Sequence, residues 1–202
     1  MEPLIKIDLK KELNGNKPVV IELGCGKKKN NNRITIDKLD LINVDIMADL
    51  ESGLPFLPDQ SVDEIYCKSV LEHVINFEVL MREIVRVLKP DGRAYVFVPH
   101  FSNPYYYSDY THARHFGLYT FFYFVESKDQ LKRKVPNFYT DIRIRIHSIQ
   151  LVFKSPFWIS KQLKKILSCI INSHRSFMEF YELHVCYIFP CYGIEVVFGP
   201  DS

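Results

Sequence analysis

Residues 19–26 read Val-Val-Ile-Glu-Leu-Gly-Cys-Gly, a short apolar run that ends in an acid and two glycines. The β-branched residues of the run predict a strand that is entered through Pro18. Gly24 and Gly26 have no Cβ, so they permit a tight turn and a close approach of the backbone to a ligand. The stretch therefore predicts a strand of a parallel sheet with a ligand-binding turn at the strand's end.

Further apolar runs follow this strand and alternate with helical patterns. Strands are predicted at residues 34–36, 43–46, 62–67, 94–98, 141–147 and 194–198. Helices are predicted at residues 78–88, before the turn at 89–92, near 118–124 and along 159–171. Repeated βα units of this kind predict an α/β fold with a parallel sheet. At 202 residues the chain suits one domain, which we place over residues 1–202.

Composition excludes several function classes. Lysine plus arginine (26) nearly balance aspartate plus glutamate (24), and the net charge of +2 disfavours nucleic acid as the partner. We find no transmembrane segment and no signal-peptide pattern, so a cytoplasmic protein is expected. The five cysteines form no metal-binding pattern, and we predict no metal site and no disulfides.

Acidic residues near the ends of the first strands are candidate ligand contacts. Glu22 can accept a hydrogen bond from a ligand ammonium. Asp37, about a dozen residues after the glycines, can accept both hydroxyls of a ribose, and this spacing is shorter than the roughly 20 residues of dinucleotide sites. Asp49 and Leu50 offer a carboxylate and an N–H to an adenine edge, although Asp49 can equally cap a helix. Cys25, inside the turn, suits a small buried side chain better than a catalytic one.

These stretches and several later ones resemble, in order and spacing, the motifs of class I S-adenosylmethionine-dependent methyltransferases of the small-molecule type. The resemblance is carried by residues 22–26, 36–37, 49–56, 61–65, 71–73, 87–92, 99–102, 109–116 and 188–190. It implies a Rossmann-like, mostly parallel twisted sheet with helices on both faces and an antiparallel C-terminal strand. It also implies a loop and helix at the acceptor site (100–125) and a helical insertion (155–185) before the last strand.

The resemblance further implies S-adenosylmethionine as the cofactor. The cofactor-binding residues would be Glu22, Gly24, Cys25, Gly26, Asp37, Asp49 and Leu50. One departure is Lys28, which stands where the family has a third glycine. We therefore do not expect this segment to run directly into a long helix.

A hydroxyl acceptor needs a base near neutral pH, and the candidates are His73, His100, His112 and His115, with Asp109 as an orienting acid or alternative base. His112 and Asp109, three residues apart, are expected to form an acid–histidine pair. His73 is expected beside the pocket and can equally bond a loop carbonyl. His115 and Arg114 can instead meet an anionic group of the substrate.

The expected function is O-methylation of a small polar acceptor, such as a sugar or a nucleotide-linked or polysaccharide precursor, which can be anionic. The alternative is a catalytically silent S-adenosylmethionine-binding partner or regulatory subunit. The basic amphipathic helix at 159–171 packs on the domain, or rests on a membrane surface or a second subunit. A homodimer and a peripheral membrane contact therefore both remain open.

Overall fold

The computed structural model describes residues 2–27 and 32–201, and these residues build one eight-stranded sheet. The strands are β1 (Leu4–Ile5), β2 (Val20–Leu23), β3 (Ile34–Asp37), β4 (Ile46–Met47), β5 (Val62–Lys68), β6 (Leu88–Pro99), β7 (Ile144–Val152) and β8 (Gly193–Pro200). Their order across the sheet is β1-β4-β3-β2-β5-β6-β8-β7. The departure predicted at Lys28 lies outside the described residues.

Strands β4, β3, β2, β5 and β6 run parallel, and β8 lies antiparallel between β6 and β7. The short β1 pairs antiparallel with β4 at the opposite edge. The predicted Rossmann-like, mostly parallel sheet with an antiparallel C-terminal strand is confirmed. The carboxyl ends of the parallel strands therefore meet at one edge of the sheet, where ligands of such folds bind.

The described helices are α1 (Leu9–Leu13), α2 (Phe77–Val87), α3 (Trp158–Ile171) and α4 (Arg175–His184). Helix α2 buries Leu80, Met81 and Ile84 completely, because the three positions fall on one face at helical spacing. Burying each such side chain contributes about 1.5–3 kcal/mol. Four short 3-10 helices also occur, at Leu50–Ser52, Leu71–His73, Tyr106–Ser108 and Thr120–Phe124. The last of these replaces the regular helix predicted near residues 118–124.

The two faces of the central strands differ in burial. Ile21, Ile65 and Val96 point into the core and are almost fully buried. Glu22 and Tyr66, on the opposite face, pair in register and are only half-buried. The central strands therefore present a partly polar face on the side away from the main core.

Strand β7 begins and ends later than predicted, and a bulge interrupts it between Ile146 and Ser148. A bulge inserts one residue and reverses which side of the strand faces the core. Ile144 is buried before the bulge, and Ile149 and Leu151 are buried after it. The strict alternation in the sequence stops at the bulge, although the strand continues to Val152. Its predicted place at a sheet edge is confirmed.

Candidate active site

The glycine turn follows β2 directly at the carboxyl edge of the sheet. Gly24 and Gly26 have φ values of +64° and +57°, in the left-handed region that favours glycine. A Cβ on Gly24 would lie 2.2 Å from a methyl carbon of Val70, whereas a Cβ on Gly26 would meet no atom of the described residues within 4 Å. Gly24 is therefore required for packing, and Gly26 leaves open space beside the backbone.

Asp37 ends β3 beside this turn, as its spacing predicted. Its Oδ2 accepts a hydrogen bond from the Gly26 N–H (2.9 Å), and its Oδ1 accepts one from the Leu39 N–H (3.0 Å). An ionised carboxylate has about four acceptor positions, so Asp37 retains capacity for two further donors. The structure thus brings Asp37 and the glycine turn together.

Cys25 lies in the turn between these groups and is buried. Burial raises the pKa of its thiol to about 11, and the nearby carboxylates of Asp37 and Glu22 add to the increase. The thiol therefore stays protonated at neutral pH. A neutral, buried side chain at this position lines the turn and does not act as a nucleophile.

Glu22 faces the half-buried side of the sheet. Its Oε2 lies 3.3 Å from Nη1 of Arg33, whose guanidinium stacks 3.4 Å above the ring centre of Tyr66. These three side chains, with Tyr95 and Lys154, line a cavity of about 310 Å³. Arg33 is a neighbour of Glu22 that the sequence did not predict.

Asp49 lies at the same edge, two residues after Met47, which pairs with Asp37. Its Oδ1 accepts a hydrogen bond from the Glu51 N–H (3.2 Å), and its Oδ2 lies 3.0 Å from Nζ of Lys38. Burial acts to raise the pKa of Asp49, but these two interactions outweigh it and lower the pKa. The carboxylate therefore caps the 3-10 helix that begins at Leu50, which is the alternative weighed for it from the sequence.

The residues that follow β5, from Ser69 to His73, connect the glycine turn to a cluster formed by His73 and His112. Ser69 has a φ of +55°, which is rare for a residue other than glycine, and its N–H donates to the Phe97 carbonyl (2.9 Å). Val70 then packs against Gly24, and the next residues form the 3-10 helix Leu71–His73. His73 is therefore only three residues from the side chain that touches the glycine turn.

His73 and His112 lie together, with ring centres 4.8 Å apart. Nδ1 of His112 is 2.9 Å from the carbonyl oxygen of Tyr106, and Nδ1 of His73 is 3.0 Å from Oγ1 of Thr111 and 3.3 Å from its carbonyl. A carbonyl can only accept, so we assign the proton to Nδ1 in both rings. Each Nε2 is then left with a free lone pair.

Asp109 is held beside His112, as the sequence predicted. Its Oδ1 accepts hydrogen bonds from the N–H and the hydroxyl of Thr111, and its Oδ2 lies 3.7 Å from Nε2 of His112. The two hydrogen bonds from Thr111 lower the pKa of Asp109. Asp109 is therefore ionised and close enough to stabilise a protonated His112.

Glu72 is the group in this cluster that the sequence analysis missed. Its side chain is 1% exposed, and among the described residues its Oε2 is buried without a hydrogen-bond partner. Burial raises its pKa to about 7, and the negative charge of Asp109 adds to the increase. Buried acids with pKa values near neutrality are typical of proton-transfer sites. The motif Leu71-Glu72-His73, at the end of a strand, was the available signal.

The loop that carries Asp109 and His112 closes over Glu72. The Glu72 carbonyl accepts hydrogen bonds from the N–H groups of Ala113 (2.8 Å) and Arg114 (3.2 Å). Glu72, His73 and His112 each present an atom within 4.8 Å of the others, and within the described ranges these three form the group that could hold a metal ion. A cation there would compete with a proton for the same lone pairs.

His115 is separated from this cluster by Tyr106. The Tyr106 ring centre lies 4.6 Å from that of His112 and 4.9 Å from that of His115. The Arg114 guanidinium donates to the carbonyls of Val74 (3.0 Å) and Ile75. Arg114 therefore holds the loop in place through these two hydrogen bonds. The Tyr106 ring separates His115 from His112.

One family model matches part of the chain. Residues 25–96 match the family model described as a methyltransferase domain. No curated protein matches the chain. Over residues 2–27 and 32–201, no helix is long and apolar enough to cross a membrane.

Solved structures of similar fold include three methyltransferases. A S-adenosylmethionine-dependent methyltransferase from Archaeoglobus fulgidus is 14% identical, with 91% of this chain and 86% of that chain covered and a TM-score of 0.52. A second such enzyme, from Mesorhizobium loti, is 13% identical, with coverages of 89% and 90% and a TM-score of 0.51. The geranyl diphosphate C-methyltransferase of Streptomyces coelicolor is 12% identical, with coverages of 95% and 76% and a TM-score of 0.54.

At these identities the solved structures establish the fold, and the family model supplies the assignment of residues 25–96. Residues 25–96 accordingly match a methyltransferase domain, and the chain has the fold of solved S-adenosylmethionine-dependent methyltransferases.

Proposed function

We propose that the chain transfers a methyl group from S-adenosylmethionine to an oxygen of a small polar acceptor. The acceptor would be a sugar or a nucleotide-linked or polysaccharide precursor. The observation that carries the proposal is the unprotonated Nε2 of His112, which lies 3.7 Å from the carboxylate of Asp109 and in one cluster with the buried carboxyl of Glu72. Val70, two residues before Glu72, packs against Gly24 of the glycine turn. Groups that can take a proton at neutral pH suit an acceptor hydroxyl.

The donor side fits the cofactor in two respects. The open space beside Gly26 admits a ligand close to the backbone, and Asp37 keeps acceptor positions for both hydroxyls of a ribose. We assign the ammonium group of the donor to the carboxylate of Glu22, where it would replace the contact that Glu22 makes with Arg33. Asp49 and the backbone of Leu50 would border the adenine at the same edge, with Cys25 lining the turn.

Methyl transfer is an in-line displacement at carbon, so the protein mainly aligns the acceptor and excludes water. Bound S-adenosylmethionine would supply a methyl group on a positively charged sulfur. His112 would accept the hydroxyl proton at Nε2 as the O–C bond forms and the S–C bond of the donor breaks, with the electron pair of that bond left on the now neutral sulfur. Asp109 would stabilise the resulting imidazolium. Glu72 provides a second proton-accepting group beside it, and His73 holds the Thr111 hydroxyl in place. His115 borders the acceptor space beyond Tyr106.

Calorimetric titration of the purified protein with S-adenosylmethionine tests the donor half. We expect measurable binding and a loss of about 10-fold or more in affinity for Asp37→Ala, because two charge-assisted hydrogen bonds are removed. Asp40→Ala is the matched control, since Asp40 is an exposed acid three residues away that pairs with Lys6. The absence of binding, or equal affinities of the two variants, would refute the donor assignment.

A screen of sugars and nucleotide sugars for methylated products tests the acceptor half. His112→Asn should lower turnover by about 100-fold or more, a magnitude typical of a lost general base, while donor affinity stays unchanged. His184→Asn, a change on exposed α4, is the control. If the wild-type protein binds the donor and methylates no acceptor, the result favours a silent S-adenosylmethionine-binding partner or regulatory subunit.

The proposed setting is the cytoplasm. All five cysteines are free thiols, and two of them, Cys67 and Cys191, are buried deep in the core. Reduced thiols are the normal state in a reducing compartment. The proposed partner is therefore a cytoplasmic small molecule, and nucleic acid remains disfavoured by the balanced charge.

A further inference from the structure

Glu72 is a buried carboxyl that the surrounding residues leave without a counterion. Its side chain is 1% exposed, and no hydrogen bond within residues 2–27 and 32–201 reaches its Oε2. The guanidinium of Arg114 is turned instead to the carbonyls of Val74 and Ile75. A buried polar atom without a partner costs about 1–3 kcal/mol, and an ion bound at this oxygen would remove that cost.

A second carboxylate belongs to the same cluster. Oδ1 of Asp109 accepts both hydrogen bonds from Thr111, which leaves Oδ2, at 3.7 Å from Nε2 of His112, for a further partner. In the part of the chain that the structure describes, no lysine or arginine forms an ion pair with Asp109 or Glu72. When both acids are ionised, one divalent cation would balance their charge.

Both histidines of the cluster are oriented as metal-binding histidines usually are. Nδ1 of His112 donates to the Tyr106 carbonyl (2.9 Å), and Nδ1 of His73 faces the hydroxyl (3.0 Å) and carbonyl (3.3 Å) of Thr111. A metal-ligating histidine almost always donates its other ring N–H to such an acceptor, which fixes the ring and its tautomer. The Nε2 atom of each ring therefore carries the lone pair that a metal ion requires.

The spacing of the four side chains fits a small ion. An oxygen of Glu72 and a ring nitrogen from each histidine lie within 4.8 Å of one another. Ligand atoms around a tetrahedral zinc ion, with bonds of about 2.0–2.2 Å, are about 3.3–3.6 Å apart, so the side chains would close by about 1 Å. Asp109 and Thr111 are exposed, which gives an ion a path from solvent.

The types of ligand select the ion. Imidazole nitrogen suits zinc, whereas Mg²⁺ and Ca²⁺ prefer oxygen ligands. Two histidines and two carboxylates make a closed tetrahedral set, unlike the three-ligand sets with open positions that hold iron in oxygenases. We propose that Glu72, His73, His112 and Asp109 bind one Zn²⁺ ion. The cysteine pattern did not indicate this site, because its ligands come from two separate segments, 72–73 and 109–112.

Zinc bound here would inhibit the proposed methyl transfer, a consequence that rests on the proposed function. The metal and a proton compete for the lone pair on Nε2 of His112, so the occupied site cannot accept the proton of an acceptor hydroxyl. Four protein ligands also leave no open position at which the ion could activate that hydroxyl itself. Binding of the ion, in contrast, does not depend on which acceptor the protein methylates.

Calorimetric titration of the chelator-treated full chain with zinc chloride tests the site without reference to activity. We expect one ion per chain, and magnesium chloride should bind at least about 100-fold more weakly. Glu72→Gln and His73→Asn should each weaken zinc binding by about 10-fold or more, a loss that even changes outside the ligand shell produce. Asp109→Asn, at an exposed position, extends the test to a variant whose folding does not depend on burial.

His184→Asn on exposed α4 is the matched control and should leave the zinc affinity unchanged. Buried His100 offers no competing site, because its two ring nitrogens contact Ser102 and Glu182. Cobalt chloride adds a spectroscopic reading, since Co²⁺ in a tetrahedral site absorbs visible light far more strongly than hydrated Co²⁺ does. The wild type should show this absorption, and Glu72→Gln and His73→Asn should lose it while circular dichroism shows folded protein.

Two results would overturn the proposal. The first is failure of the wild-type chain to bind zinc, and the second is equal zinc affinity of the three ligand variants and His184→Asn. Zinc binding that the ligand variants weaken, combined with full methyl transfer by the zinc-saturated protein, would support the metal site and contradict the role of His112 as the base. The metal site and the proposed function can therefore fail separately.

Discussion

Replacing Glu72 by glutamine should make the protein more stable at alkaline pH. The carboxyl is 1% exposed, and burial raises its pKa from 4.5 to about 7, with Asp109 adding to the increase. The unfolded chain releases this proton near pH 4.5, whereas the folded chain keeps it up to about pH 7. The contribution of Glu72 to stability is therefore complete below pH 4.5 and is lost as the pH rises through 7.

The size of the effect follows from the two pKa values. The pKa of Glu72 is 4.5 in the unfolded chain and about 7 in the folded chain. At about 1.36 kcal/mol per pKa unit, this difference corresponds to about 3 kcal/mol of stability lost at alkaline pH. Glutamine has the same shape and does not titrate. The difference in free energy of unfolding between Glu72→Gln and the wild type in acid serves as the reference. Relative to that reference, the variant should be more stable than the wild type by about 3 kcal/mol at pH 8 and by less than about 1 kcal/mol at pH 5.

Urea unfolding at both pH values, in buffer that contains a chelator, measures this difference. The chelator keeps adventitious cations away from Glu72 and the two histidines. Glu12→Gln, at an exposed position of α1, is the matched control and should show no pH-dependent difference from the wild type. Equal stability of wild type and Glu72→Gln at both pH values would refute the reasoning, because Glu72 would then be solvated or paired in the folded protein.

The glycine turn and the histidine cluster give further expectations. Gly24→Ala should lower the free energy of unfolding by about 3 kcal/mol or more, because a Cβ there would lie 2.2 Å from Val70 at a φ of +64°. Gly26→Ala should cost only about 1 kcal/mol, yet weaken donor binding in calorimetry, since its Cβ enters open space at a φ of +57°. Chelator treatment should leave methyl transfer unchanged if His112 accepts the proton, and loss of activity that a divalent cation restores would contradict that role.

The arrangement of the glycine turn and Asp37, which form the proposed donor half of the site, could be predicted because its signals are local. Gly24 and Gly26 follow a β-branched run directly, and Asp37 ends the next strand, so parallel pairing places them side by side. The contact between Glu22 and Arg33 was not predicted. It depends on which face of the sheet each side chain occupies, and the sequence pattern does not specify that face for Arg33.

In the proposed acceptor half of the site, by contrast, most neighbours depend on tertiary contacts and could not be predicted from local signals. The pairing of Asp109 with His112 was predicted from a spacing of three residues, which a single turn satisfies. Glu72 became a member of the cluster only because the loop at residues 109–114 folds back and donates two N–H groups to the Glu72 carbonyl. The separation of His115 depends likewise on the position of the Tyr106 ring. The burial of Glu72 arises from contacts about forty residues away in sequence, and the separation of His115 arises from the folding of its own loop around Tyr106.

The exit of β5 explains why the two halves lie in one site. Ser69 adopts a positive φ, and its hydrogen bond to Phe97 fixes the turn against β6. The next residue, Val70, packs on Gly24, and the residues after it carry Glu72 and His73. An in-line transfer requires the acceptor oxygen and the methyl carbon to be aligned closely, and small misplacements lower the rate steeply. Because one rigid turn touches the glycine turn and also carries two side chains of the acceptor cluster, a change in its conformation displaces both halves together.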